Sequence, residues 1–175
     1  MKAVVIYKSK TGFAKTYAQW IAEELSADIF EASKATISML DGYDTIIYGG
    51  GVYAGNINGI KFITNNISKL AGKKIVVYAT GLSVFKEEIV ANLKKNNIKP
   101  NVEEHIKFFY LQGGFDYTKL GFSDKIIMGM LKRRLKRKKE ENKTNSDRGT
   151  LASFEKPIDN TSKDKISELI AYVNS

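Results

Sequence analysis

Three short segments of the chain are apolar at almost every position, and they constrain the fold more than any other feature. They are VVIY at 4–7, TIIY at 45–48 and IVVY at 75–78. A strand that packs on one face only alternates apolar and polar residues, whereas these segments predict strands buried on both faces, as in a parallel sheet covered by helices. We therefore expect an α/β fold of three layers with right-handed crossovers between the strands.

The periodicity of the other segments extends this pattern. It predicts strands at 2–8, 27–32, 43–50, 73–80 and 104–114. It predicts helices at 13–25, 59–70, 83–97 and 162–174. The last helix opens on a capping pattern formed by Thr161 and Asp164. The chain of 175 residues has the length of one domain, so we expect a single doubly wound domain over 1–175, with ligands beyond the carboxyl ends of its strands.

One connection breaks the regular alternation. Residues 115–158 lie between the fifth predicted strand and the last helix, whereas an ordinary connection has about 4 to 6 residues. The segment contains a helix of its own, for which Phe122, Ser123 and Asp124 provide a staple residue, a cap and an acidic first turn. An apolar stripe follows, formed by Ile126, Ile127, Met130, Leu131 and Leu135. We therefore expect a helical insertion with a basic run opposite and beyond this stripe.

The first strand runs into a loop of small and hydroxyl-bearing residues. The loop comprises Ser9, Lys10, Thr11, Gly12, Phe13 and Ala14. Backbone amides in the first turn of a helix lack internal partners and attract an anion, and Ser and Thr hydroxyls add donors. The loop matches neither the Walker A pattern nor the glycine-rich dinucleotide fingerprint. It is a candidate phosphate site, and a plain turn capped by Ser or Thr is the alternative.

Two more glycine-containing loops follow the third and fourth predicted strands. GGGVYAGN at 49–56 carries an aromatic residue that we expect to be exposed, Tyr53, and TGLSV at 80–84 offers amides and hydroxyls. Both belong at the same edge of the sheet as the phosphate loop. A flat heteroaromatic ring needs an aromatic face and free backbone groups, so the three loops together predict a site for such a ring. Tight turns and a surface tyrosine are the alternative for each loop taken alone.

These loops and the order of the elements resemble the flavodoxins over the whole chain except the insertion. The resemblance implies a flavodoxin-like fold, with a five-stranded parallel sheet of order 2-1-3-4-5, and bound FMN. It implies that the phosphate is surrounded by Ser9, Lys10, Thr11, Gly12, Phe13 and Ala14. It implies that the isoalloxazine ring is surrounded by Gly51, Val52, Tyr53, Ala54, Gly55, Thr80, Gly81, Leu82 and Ser83. Phe13 and Ala14 replace the usual Asn-Thr, which removes one hydroxyl, and Lys15 stands where an acidic residue is common.

The insertion has a resemblance of its own. Residues 113–137 are similar in position and character to a segment of the flavodoxin-type, menaquinone-dependent protoporphyrinogen IX dehydrogenases. This likeness implies an FMN-dependent oxidoreductase that oxidises protoporphyrinogen and passes electrons to a quinone. The alternative is a small soluble flavodoxin that carries electrons and has no substrate of its own. Phe115 and Tyr117 follow the fifth strand. They cover the flavin or contact a substrate, and packing within the loop is the alternative. No catalytic side chain is expected, because the flavin carries the chemistry.

The positive charge of the chain is concentrated in the insertion. The net charge is +9, and residues 132–143 supply +6 of it with eight Lys or Arg and two Glu. Positive charge beside an apolar stripe suits an anionic surface, so we expect residues 132–139 to contact an anionic membrane peripherally. A redox partner protein or a quinone is the expected electron partner, and a solvated helix end is the alternative for the basic run. No interleaved aromatics accompany the charges, so no nucleic acid is expected.

Absent residue types narrow the chemistry further. The chain has no Cys, which excludes disulfides, Cys-based zinc sites and a thiol nucleophile and fits a reducing compartment. Ligand pairs at metal spacing are missing, so no metal is expected. No run of about 18 apolar residues and no signal-peptide pattern occurs. We therefore expect a cytoplasmic protein, with peripheral contact at the cytoplasmic face of the membrane.

Overall fold

The computed structural model describes residues 2–175 and is built on a central sheet of six strands, five of which are parallel. The strands are β1 (Ala3–Lys8), β2 (Asp28–Glu31), β3 (Thr45–Tyr53), β4 (Asn56–Ile57, antiparallel to β3), β5 (Lys74–Gly81) and β6 (Ile106–Gln112). The parallel strands follow the order β2-β1-β3-β5-β6. This order confirms the predicted doubly wound topology, because it is 2-1-3-4-5 once the two-residue β4 is set aside.

Helices cover both faces of the sheet. They are α1 (Phe13–Leu25), α2 (Lys61–Thr64), α3 (Glu87–Asn97), α4 (Pro100–Glu103), α5 (Phe122–Arg137), α6 (Asn145–Ser153) and α7 (Ser167–Asn174). The first of them has the bounds that the periodicity predicts. Among residues 2–175 no helix has the length and apolar content needed to cross a membrane.

Alternate residues of each strand enter two separate cores. One core joins the sheet to α2, α3 and α4 through Val4, Ile6, Ile46, Tyr48, Ile63, Leu93 and Val102. The other core joins it to α1 and α7 through Val5, Ile47, Val76, Tyr78, Tyr17, Ile21 and Leu169. Full burial of such a side chain contributes about 1.5 to 3 kcal/mol. The apolar runs of the sequence therefore reflect burial on both faces of the sheet, as predicted.

The glycine-rich segment after the third predicted strand is largely strand rather than loop. β3 continues to Tyr53, pairs with β5 as far as Gly51 opposite Thr80, and then turns back into β4. A Cβ atom on Gly49 would lie 1.9 Å from the Tyr78 ring, so glycine is needed there for the close approach. The predicted ring-binding segment is therefore held in place by the sheet.

Two predicted helices are shorter than the pattern indicates. The segment 59–70 divides into α2 and a 3₁₀ turn at Ile67–Leu70. The Asn66 side-chain amide donates a hydrogen bond to the Phe62 carbonyl at 3.0 Å, and so competes for the acceptor that a continuing helix would use. The helix predicted at 83–97 begins only at Glu87. Two acidic residues then lie in its first turn, which suits the positive end of the helix dipole.

The start of the last predicted helix also differs. A 3₁₀ turn at Lys163–Ile166 precedes α7. The predicted capping pair is wrong, because the Thr161 backbone amide and hydroxyl both donate to the Asp159 carboxylate, at 2.9 and 2.7 Å, instead of pairing with Asp164.

The insertion is closed at its base by a small sheet of its own. β7 (Gly114–Phe115) pairs antiparallel with β8 (Ile158–Asp159), and α5 and α6 lie between them. The predicted cap and staple of α5 are wrong, since Gly121 occupies the cap position, Ser123 lies inside the helix and Phe122 is 84% exposed. A capping box occurs instead at Thr144 and Asp147, where α6 begins.

Candidate functional site

A cavity of about 350 Å³ lies at the carboxyl ends of β1, β3 and β5, the edge where the topology predicts a ligand. Its volume falls in the range of roughly 300 to 1,000 Å³ that is usual for small-molecule sites. It brings together most of the residues that the sequence predicts for the site. These are Ser9, Lys10, Thr11, Phe13, Ala14, Gly51, Val52, Tyr53, Ala54, Thr80, Gly81, Leu82 and Phe115.

The loop after β1 leads directly into the first turn of α1. Gly12 has a φ of +98°, a conformation that favours glycine, and its N–H donates to the Ser9 Oγ at 3.0 Å. No side chain caps α1. The first-turn amides therefore lack the partner that a capping residue usually supplies, and they remain available to an anion. Thr11 is buried beside them, while Gly12 forms the turn and does not line the cavity.

Lys10 connects this loop to the insertion. Its Nζ lies 2.5 Å from the Asp124 Oδ1 on α5 and 4.6 Å from the centre of the Tyr53 ring. The ammonium group therefore covers one face of that ring in a cation–π contact. Tyr53 is half-buried, so the expectation of an exposed aromatic is wrong. A flat ligand that stacks on Tyr53 must use the other face of the ring or displace Lys10.

Two hydroxyl groups at the cavity wall are buried without a satisfied hydrogen bond. Within residues 2–175 the Tyr53 hydroxyl and the Thr80 Oγ1 have no hydrogen-bond partner, and the same holds for the Asn58 side-chain amide outside the cavity. Burial raises the pKa of Tyr53 to about 12, although the Thr11 side chain, which lies near the Tyr53 oxygen without a hydrogen bond of good geometry, opposes the rise. Leaving a buried polar group unpaired costs about 1 to 3 kcal/mol. The two hydroxyls therefore favour a ligand with polar atoms at its edge.

Three predicted site residues lie elsewhere. Gly55 and Ser83 line a neighbouring cavity beside α3, because the β3–β4 turn and the loop after β5 lead away from the main cavity. Tyr117 donates a hydrogen bond to the Lys125 carbonyl at 3.3 Å, and its ring packs 5.3 Å from that of Phe154. The structure thus matches the loop-packing alternative for Tyr117, whereas Phe115 reaches the cavity.

Sequence reasoning missed one wall of the cavity. Ile127, Met128 and Leu131 of α5 line it, together with Gly114 of β7. The apolar stripe on α5 was visible in the sequence, but its pattern does not indicate which element the stripe faces. A Cβ atom on Gly114 would lie 1.9 Å from the Ile158 carbonyl oxygen, so this glycine permits the tight pairing that places the insertion over the sheet edge.

The cavity fits a molecule with an anionic group and a flat, largely apolar body. The anion would meet the first turn of α1, Ser9 and Thr11, and the polar edge of the flat body would meet Tyr53 and Thr80. The wall from α5 is apolar and would meet the apolar part of the body. These are the features that FMN requires: a phosphate cradle joined to a ring site with free polar atoms.

Comparison with known proteins agrees with this arrangement. A family model described as a flavodoxin domain matches residues 4–142, well over half of the chain. An uncharacterized protein of Methanocaldococcus jannaschii is 31% identical over 122 residues, which cover 66% of this chain and 81% of the relative.

Solved structures with a similar chain path have low sequence identity. The Trp repressor binding protein of Bacillus subtilis has a TM-score of 0.49 and 15% identity, covering 64% of this chain and 83% of its own. A flavodoxin of Megasphaera elsdenii has a TM-score of 0.47 and 13% identity, covering 69% of this chain and 89% of its own.

Proposed function

Because the chain belongs to the flavodoxin domain family, we propose that it binds FMN in the cavity at the carboxyl edge of the sheet and acts as a flavin-dependent oxidoreductase. FMN bound there would supply electron or hydride transfer. The first turn of α1, with Ser9 and Thr11, holds the phosphate. Tyr53 and the segment Thr80–Leu82 orient the ring, as the resemblance implies.

The observation that carries this proposal is the position of the unpaired Tyr53 and Thr80 hydroxyls. Both hydroxyls belong to residues that line the cavity containing the uncapped start of α1, and each oxygen is itself buried. Buried polar groups usually have a partner, so two unpaired hydroxyls on residues of one cavity favour a ligand that completes their hydrogen bonds. The Tyr53 hydroxyl stays protonated at neutral pH, because burial raises its pKa to about 12. It is therefore a hydrogen-bond donor for a ligand acceptor throughout the physiological range.

A titration of the purified chain with FMN tests this proposal. We expect the FMN fluorescence to be quenched and the absorbance bands to shift on binding. Riboflavin, which lacks the phosphate, is the matched ligand and should bind at least about tenfold more weakly, since several amide and hydroxyl bonds to the phosphate are lost. Equal affinity for both ligands would contradict the phosphate role of the loop, and no binding of either would contradict the flavin assignment.

The finer proposal is a dehydrogenase that oxidises protoporphyrinogen IX and passes electrons to a quinone. It rests on the resemblance of the insertion and on the apolar wall that Ile127, Met128 and Leu131 add to the cavity. Such a wall excludes water beside the ring site and suits a large apolar reactant. The assay is quinone-dependent oxidation of protoporphyrinogen by the FMN-loaded protein, with free FMN as the control.

An electron carrier without a substrate of its own is the second candidate. It is favoured by the exposed basic residues of the insertion, which suit docking to an acidic redox protein. Normal FMN binding without protoporphyrinogen turnover, but with electron exchange to an acidic partner that weakens steeply with salt, would support the carrier over the dehydrogenase.

A further inference from the structure

The two sides of α5 have different partners. Asp124, Met128, Leu131 and Leu135 recur at helical spacing on the inner side, where Leu131 and Met128 line the cavity and Leu135 is buried. Asp124 on the same side pairs with Lys10. Contacts with the rest of the fold therefore account for the inner side of the helix.

The opposite side has no such explanation. At 100° per residue, five side chains fall within about 40° of one line along the helix. We call them the outer face, and they are Phe122, Ile126, Met130, Arg133 and Arg137. Phe122 is 84% exposed, Ile126 50% and Met130 59%.

Exposure of this kind is concentrated near the cavity. Ile127, on α5 itself, is 59% exposed and lines the cavity as well, and two further exposed apolar residues, Val84 and Phe85, follow Leu82 at the cavity. Single exposed apolar residues are normal, but a contiguous row on one helix indicates an interaction surface.

The charged half of the outer face is free to interact. Arg133 and Arg137 are exposed, and neither forms an ion pair with a carboxylate of residues 2–175. Farther along the insertion the basic side chains are paired, as Lys138 is with Asp147 and Arg148 with Glu140. The two arginines therefore present charge in line with the apolar row without a partner to neutralise it.

We propose that the outer face of α5 docks onto an anionic lipid surface, with Phe122, Ile126 and Met130 among the acyl chains and Arg133 and Arg137 at the headgroup phosphates. Exposed apolar side chains can enter the acyl boundary of a membrane interface, and the long arginine side chains that follow them on the same face can reach up to the headgroups. The helix of 16 residues is about 24 Å long and would lie along the surface. This inference goes beyond the proposed function and does not depend on flavin binding.

Charge complementarity selects lipid over a second copy of the chain. Two copies would bring together segments that each carry +6 within a chain of +9, and like charges repel. A row of exposed side chains also suits a deformable acyl layer, which adapts to their shape. Anionic headgroups supply the opposite charge at every position along the helix.

Flotation of the full chain with vesicles tests the proposal. We expect binding to vesicles of equal parts phosphatidylglycerol and phosphatidylcholine and little binding to pure phosphatidylcholine. The variant R133Q/R137Q should bind the anionic vesicles about 30-fold more weakly, because each basic residue near such a surface contributes about 1 kcal/mol. K69Q/K99Q removes two exposed lysines outside the insertion and is the charge-matched control, which should bind as the unaltered chain does.

The apolar half is tested by F122S/I126S/M130S. We expect a loss of at least about tenfold in vesicle affinity with an unchanged circular dichroism spectrum, since all three side chains are exposed. As an independent measurement, the cysteine-free chain allows unique labelling of Met130→Cys, and of Lys69→Cys as the control, with an environment-sensitive dye. The emission of the label at position 130, but not at 69, should shift to the blue with anionic vesicles.

Several results would overturn the proposal. They are absence of binding to the anionic vesicles at low salt, equal losses in R133Q/R137Q and K69Q/K99Q, and unchanged emission at position 130. A concentration-dependent dimer that the triple serine variant abolishes, without any vesicle binding, would assign the outer face to a second copy instead.

Discussion

The central sheet and the insertion both contain isoleucines on regular elements, yet they place them in opposite environments. In the sheet Ile47 is fully buried, whereas in the insertion Ile126 is 50% exposed on α5. The sheet buries apolar side chains on both faces and achieves stability by packing. The insertion buries few apolar side chains, among them Leu120, Leu135 and Phe154, and is otherwise held by ion pairs, a capping box and a two-residue β7–β8 pairing. Its other apolar residues are therefore free to line the cavity and to form the outer face.

The largest expected difference comes from the same substitution in the two regions. Ile47→Ala should lower the free energy of unfolding by about 2 to 5 kcal/mol, since it leaves a cavity between β3 and its neighbours. Ile126→Ala should change it by less than about 0.5 kcal/mol, because the side chain is exposed. Urea unfolding followed by circular dichroism measures both. A loss of more than about 1.5 kcal/mol for Ile126→Ala would mean that the outer face packs against the protein itself.

Alkaline pH should weaken the sheet before it affects the insertion. Burial raises the pKa of Tyr53 and of Tyr110 to about 12, and burial also raises the pKa of Tyr48 and of Tyr78 above the usual value near 10. The neutral hydroxyl is favoured in the folded state, so this stability is present below pH 10 and is lost as the pH rises through the folded values. Absorbance at 295 nm should show at least four of the nine tyrosines ionising only together with unfolding. Ionisation of all nine near pH 10 with the fold intact would contradict this.

Acid should weaken the insertion instead. The Lys138 ammonium and the Thr144 amide lower the pKa of Asp147 to about 2, and Lys143 lowers the pKa of Glu140. A depressed pKa contributes stability above the unfolded value near 4, and this stability is lost as the pH falls toward 2. Limited proteolysis with pepsin across that range should cut residues 138–150 before the sheet. Glu140 is exposed and Asp147 only partly buried, so the effect should be smaller than the alkaline one and should weaken in high salt.

Thr80→Val should have a still smaller effect. It should leave the ligand-free protein as stable or slightly more stable, but should weaken FMN binding. Thr80→Val removes an unpaired buried hydroxyl, so the ligand-free protein should be as stable as before or more stable by up to about 1 kcal/mol. FMN affinity should fall about fivefold through the lost hydrogen bond, as measured by fluorescence titration. Thr64→Val is the control, since that hydroxyl bonds to the Ile60 carbonyl on α2, outside the cavity. Unchanged FMN affinity in Thr80→Val would remove this hydroxyl from the ring site.

The sequence predicted the sheet well and the insertion only in outline, and the reason is physical. The buried parallel strands and the bounds of α1 follow from local periodicity, whereas the strand order was implied by the resemblance to the flavodoxins. β3 continues from Gly51 to Tyr53, beyond the predicted end at residue 50. This continuation depends on the pairing of Gly51 with Thr80, a contact distant in sequence that three glycines in a row do not encode, and on the turn into β4. Likewise, the stripe on α5 showed that the helix has an apolar side, but only the fold shows that Leu131 faces the cavity and Ile126 faces away.

The smallest expected effect concerns the ion pair that joins the two regions, Lys10 with Asp124. Asp124→Asn should lower the free energy of unfolding by at most about 1 kcal/mol, because both side chains are partly exposed and water screens the pair. It should nevertheless raise FMN affinity by roughly threefold at low salt, since Lys10 is released toward the predicted phosphate and one nearby negative charge disappears.

Lys10→Gln and the double variant K10Q/D124N complete the cycle. Lys10→Gln should weaken FMN binding, and adding Asp124→Asn to it should restore little, because the benefit of removing the carboxylate depends on a lysine that can move. Asp164→Asn, at an exposed carboxylate of the segment before α7, controls for net charge. Weaker FMN binding by Asp124→Asn would contradict this. It would mean that the ion pair holds Lys10 beside Tyr53 in the position that FMN needs, and does not compete with the phosphate for Lys10.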